Sequence, residues 1–75
     1  MSKKEELRTS YAELKNVINN IEMDVMRVYD GNMSAAVRVR KCMQEVRKKA
    51  ADMRILVSEV KYQTMQEREE RKQGK

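Results

Sequence analysis

The 75-residue chain has no histidine, tryptophan, phenylalanine or proline. Without histidine it lacks the side chain that most often moves protons near neutral pH, so acid–base catalysis has little to work with. A single cysteine, Cys42, excludes an internal disulfide, and a reducing interior such as the cytosol is the expected setting. No apolar run exceeds three residues, so neither a membrane-spanning helix nor a secretory leader is expected. Of two glycines only Gly31 is interior; one glycine is no phosphate-cradling loop and reads as a helix cap. Three tyrosines are the only aromatics, too few for the stacking platforms that single-stranded nucleic acid calls for. Glu22 and Asp24 are close in sequence but point to different sides of a helix, which makes them solvated acids rather than a metal site. Cys42 has no histidine partner and reads as a small residue at a packing edge. No catalytic residue, metal or cofactor is expected.

What the chain does have is charge, unevenly spread. Charged residues make up 39% of it and the net charge is +5. Residues 1–30 carry five basic and six acidic side chains, residues 31–54 seven and two, and residues 55–75 five and four. The excess therefore sits in the middle segment, and a concentrated basic stripe points to a polyanion.

Good helix formers dominate: Glu, Lys, Arg, Met, Ala and Leu. Ser2 followed by Glu5 matches a capping box. Gly31 can end the first helix in a left-handed conformation, and Asn32 or Ser34 can cap the next. These signals predict one domain over residues 1–75, with helix one at about 3–30, a turn at 31–33, helix two at about 34–70 and a frayed charged tail at 71–75. Apolar residues recur with alternating gaps of four and three: Leu7, Tyr11, Leu14, Ile18, Ile21, Val25 and Val28, then Ala36, Val39, Met43, Val46, Ala50, Met53, Val57 and Val60. Two heptad seams joined by a short turn specify an all-α fold, an antiparallel two-helix coiled-coil hairpin. Folding at Gly31 sets Val28 against Ala36, Ile21 against Met43, Leu14 against Ala50 and Leu7 against Val57. One seam buries little for a chain of this size, so two hairpins are expected to dimerise into a four-helix bundle.

The heptad positions beside the seam differ in character. The e positions are Arg8, Lys15, Glu22 and Tyr29 on helix one and Arg40, Arg47, Arg54 and Lys61 on helix two. Glu22 can pair with Arg40, whereas Lys15 faces Arg47 and Arg8 faces Arg54. The g positions, Ser10, Val17, Asp24, Ala35, Cys42, Lys49 and Leu56, are smaller or more apolar. The g rim is therefore assigned to the partner hairpin through Val17, Cys42 and Leu56, extended by Ile55 and Tyr62. The e rim is left to solvent or to an anion. With Arg38, Lys41 and Lys48 on the outer side of helix two, Arg40, Arg47 and Arg54 form a basic surface about 25 Å long. Duplex DNA presents about fifteen phosphates over that length.

The stretch GNMSAAVRVRKCMQEVRKKA, residues 31–50, resembles the bacterial linker-histone-like proteins, which include the chlamydial developmental histone-like proteins and short relatives. Gly31, Asn32, Arg38, Arg40 and Lys41 match the family pattern, with Ala35 and Ala36 close to its alanines. The preceding YAELKNVINNIEMDV is similar to the family's first helix. The resemblance implies sequence-tolerant DNA binding in a bacterial nucleoid, with Arg38, Arg40 and Lys41 at phosphates. Arg47, Lys48 and Arg54 join them by the rim argument. Met33 stands where relatives often have lysine. Residues 67–75, EREERKQGK, are mixed in sign, unlike the Lys/Ala-rich tail of the chlamydial members, so binding falls to the helical core.

The sequence thus reads as a non-enzymatic, cytoplasmic histone-like protein whose partners are double-stranded DNA and a second copy of itself, with no membrane and no small-molecule substrate. The rival reading is a helical interaction module, an adaptor or small chaperone, holding an acidic protein partner. A membrane-surface helix ranks behind both, because the apolar face is a narrow seam already used.

Overall fold

In the computed structural model, which describes residues 2–73 and the side chains of residues 2–70, the chain is two helices packed against each other: α1 at Lys3–Tyr29 and α2 at Met33–Gln73. Of the expected frayed tail, α2 carries the backbone through Gln73, and Gly74 and Lys75 lie outside the described residues. No strand occurs among the described residues.

Local chemistry accounts for the helix ends. The Ser2 hydroxyl accepts from the Glu5 backbone N–H at 3.2 Å and starts α1. At the other end Gly31 adopts φ +92°, a conformation that side chains disfavour. The Gly31 N–H donates to Val28 O and the Asn32 N–H to Arg27 O, both at 2.9 Å. This paired 5→2 and 6→1 pattern closes the last carbonyls of α1. Asn32 then caps α2, its Oδ1 accepting from the Ala35 N–H at 3.0 Å. The connection needs only Asp30, Gly31 and Asn32, so the helices must run back antiparallel.

The result is a rod of 65 × 19 × 15 Å with a radius of gyration of 18.3 Å, against about 11 Å for a compact domain of this length. Ala35, at 0% exposure, is the one buried hydrophobic residue among those described. The turn brings the two axes together there, and only a small side chain fits.

The helices meet along a different stripe from the expected one. The half-buried residues of α1 are Glu6, Leu7, Ser10, Leu14, Val17, Ile21 and Asp24; those of α2 include Ala36, Val39, Cys42, Val46, Lys49, Ala50, Met53, Leu56 and Val60. Most of these are d and g positions, while the large a residues Tyr11, Ile18, Val25, Met43 and Val57 are exposed. The g residues Val17, Cys42 and Leu56, expected to be available to a partner hairpin, are therefore turned into the contact between α1 and α2. Two features favour this rotation. Small g residues allow close approach, Ala35 beside the tight turn and Ser10 and Cys42 farther along the rod. The rotation also lets g cations and acids reach c positions across the seam. Lys3 pairs with Glu59 at 2.9 Å, Asp24 with Arg38 at 3.0 Å, and Glu13 with Lys49 at 3.6 Å. The three pairs step down one helix and up the other by equal intervals, so they share one antiparallel register.

Candidate nucleic-acid interface

Turning the g positions inward turns the large a residues outward. Tyr11 at 57%, Ile18 at 49% and Met43 at 43% exposure, with Val25 and Val57, lie open to solvent. Their arrangement on one broad face is seen in two shallow grooves. One, of about 460 Å³, is lined by Leu14 from α1 and by Ala50, Met53, Arg54 and Val57 from α2. The other, of about 400 Å³, is lined by Ile18, Ile21, Glu22 and Val25 from α1 and by Met43 from α2. The rod thus has one broad face stitched by ion pairs and an opposite face with an apolar floor.

The e positions border that apolar floor, so Arg40, Arg47 and Arg54 stand along its edge at intervals of seven residues. Lys41 and Lys48 lie farther round the same helix. All five are exposed, and none has a carboxylate within ion-pair distance among the described residues. Glu22, expected to pair with Arg40, makes no such contact there either. The fixed helix spacing holds these cations in a row, about 10 Å from one e position to the next.

Arg38 is different. Its Nε donates to Asp24 Oδ2 and its Nη2 to Asp24 Oδ1, each at 3.0 Å, while Arg27 Nη1 donates to the same carboxylate at 3.0 Å. The fork geometry makes this a bidentate pair across the two helices. Hydrogen bonding from Arg38 holds the Asp24 carboxyl below its ordinary value, against the opposing effect of partial burial, and Arg27 adds to the lowering. Arg38 therefore sits on the ion-paired side of α2 with its guanidinium already engaged. Sequence reasoning missed Asp24 as its anchor. The signal was present in the matched opposite charges at Lys3 and Glu59, Glu13 and Lys49, and Asp24 and Arg38, all compatible with one register.

The residues expected at a dimer contact separate. Val17, Cys42 and Leu56 are half-buried within the hairpin, whereas Ile55 and Tyr62 are exposed on the far side of α2. Tyr62 accepts a hydrogen bond from Gln66 Nε2 at 2.7 Å one turn on. Met23, Met26 and Met33 also point to solvent, and nothing in the fold explains why methionine occupies them. No helix among the described residues is long and apolar enough to cross a membrane.

No curated protein and no solved structure matches the chain. Residues 8–63 match the family described as histone H1-like protein Hc1. That span contains the turn, all of the seam but Leu7 and every cation of the exposed row, and the chain belongs to this histone-like family.

Proposed function

We propose that the protein binds duplex DNA without sequence preference, as a histone-like component of a bacterial nucleoid, by laying the exposed cations of α2 along phosphates. The observation that carries this reading is the set Arg40, Lys41, Arg47, Lys48 and Arg54. These are five exposed cations without carboxylate partners among the described residues, on one rigid helix of a chain in a histone-like family. From Arg40 to Arg54 the row is about 21 Å long, and a duplex presents about twelve phosphates over that distance. Five cations against about twelve phosphates leave more than half of the phosphates over that length uncontacted, which suits coating rather than full neutralisation. Phosphate contacts position a protein but carry no sequence information. The straight helices offer no short recognition helix to enter a groove. Arg38 takes a structural role, as a strut between the helices, because its guanidinium is already hydrogen-bonded to Asp24.

Gel-shift titrations on unrelated duplexes at several salt concentrations test the proposal. Equal affinities for all duplexes, falling linearly with log salt, are expected; discrimination among them, or no shift at moderate salt, overturns it. The open apolar face favours one rival, an adaptor or small chaperone binding an acidic helical segment between the cationic edges. That rival requires capture of an acidic amphipathic peptide with no affinity for duplex.

A further inference from the structure

The apolar floor between Tyr11 and Val57 has no cover among the described residues. The protein exposes 6664 Å², whereas a compact monomer of its 8.9 kDa mass exposes about 4,800 Å². The excess, about 1,900 Å², is more than the ~800 Å² that each partner contributes to a standard interface. Ala35 is the one buried hydrophobic residue among those described, and the contact between the helices is otherwise only half-buried, so whatever covers this face supports folding itself. The face is also self-complementary. Its α1 side carries Tyr11, Ile18 and Val25 and its α2 side carries Met43 and Val57, all exposed, with the half-buried Ala36 and Ala50 between them. Two copies related by a two-fold axis set this same apolar patch of one against that of the other.

The obstacle is electrostatic. The e positions that border this face carry Arg8 and Lys15 on one edge and Arg40, Arg47, Arg54 and Lys61 on the other, with Glu22 the one acid. Closing two such faces brings cationic edges together at both margins of the resulting bundle. The ion pairs that could relieve them are spent on the opposite face of the rod.

We propose that the apolar a-position face closes against a second copy of the chain, and that a polyanion running along the merged cationic edges is the counter-ion that completes the closure. DNA binding and dimerisation are then one coupled equilibrium: phosphate favours the dimer, and the dimer presents two cation rows at each edge. The DNA half of this proposal rests on the function proposed above, while the choice of face does not.

Coupling of this kind has a signature in salt. Screening weakens repulsion between the cationic edges, so the free protein should dimerise more tightly as salt rises, while affinity for duplex falls. Sedimentation equilibrium of the full chain should show the dimer dissociation constant dropping about tenfold or more between low and moderately high salt, as the screening length shortens. At low salt a 20-base-pair duplex, or inorganic polyphosphate, should recruit chains in pairs. The double variant Arg47→Gln, Arg54→Gln should dimerise at low salt without either polyanion. Ile18→Lys should remain monomeric at concentrations where the wild type is dimeric, with circular dichroism following whether the hairpin persists. A dimer of unchanged strength in Ile18→Lys, or a dimer constant indifferent to salt and to Arg47 and Arg54, overturns the proposal. So does a one-to-one complex with an acidic amphipathic peptide in place of self-association. If duplex binding persists while the mass ignores salt, the coupling fails and the DNA reading stands. If the mass responds to salt and polyphosphate but duplex does not bind, the face is upheld and the DNA reading fails.

Discussion

Removing four cations, Arg40, Lys41, Arg47 and Lys48, as glutamines tests the role of the exposed row, and the structure sets the size of the effect. Five cations in the row are exposed and without carboxylate partners among the described residues. If each meets one phosphate, the slope of log affinity against log salt is about −4.5, at about −0.9 per contact. At ~0.15 M salt, one contact corresponds to about a fivefold change in affinity relative to 1 M. The quadruple neutralisation should therefore weaken binding about 10³-fold and flatten the slope to about −0.9. Reversal of the same four charges should abolish binding. All four side chains are exposed, so helicity should be unchanged. Arg38→Gln is the internal control. Asp24 already holds that guanidinium, so its loss should change affinity less than about twofold and leave the slope within experimental error. Fluorescence anisotropy with a labelled duplex at five salt concentrations measures both quantities. A quadruple variant of unchanged affinity refutes the assignment of the row. An Arg38→Gln variant that loses as much as Arg47→Gln refutes the distinction between free and engaged cations.

Further expectations concern the scaffold. Gly31→Ala has no neighbour to clash with, yet must hold φ +92°, and should cost about 1 kcal/mol in chemical denaturation. Asn32→Ala removes the cap of α2 and should cost about 1 kcal/mol, with Asn32→Asp retaining most of the stability. Ala35→Leu places a large side chain at the one fully buried position and should cost about 1–3 kcal/mol, seen as a lower melting temperature. The Asp24 carboxyl is held below its ordinary value of 3.8 in the folded chain. Its contribution is therefore fully present above that value and is lost as pH falls through the lower folded value. Thermal melts down a pH series should show this loss in the wild type, and a smaller one in Asp24→Asn.

Helix formers, two heptad patterns and a lone glycine between them were enough to read two helices folded back on each other. These are local signals: spacing repeats along the chain, and caps act within four residues. The row of cations was legible for the same reason, since one helix holds residues 40–54 whatever it packs against. The rotation of the seam was not. With a and d positions apolar and g positions such as Ser10, Val17, Ala35, Cys42 and Leu56 small or apolar, the pattern allows an a/d or a d/g contact. What separates them is how close the axes come at a three-residue turn, together with whether charges at g reach partners at c. Asp24 and Arg38 are fourteen positions apart, and only their meeting across the helices showed the guanidinium of one expected phosphate ligand already engaged.

The sequence by itself thus determined an all-helical antiparallel hairpin with its surplus positive charge on the second helix, because periodicity and charge are written residue by residue. Only the tertiary structure decided which faces are spent and which are free. It closed the g positions inside the hairpin, engaged Arg38 and opened an apolar floor between cationic edges. A rotation of two packed helices about their own axes changes every contact between them and leaves the spacing along each one untouched.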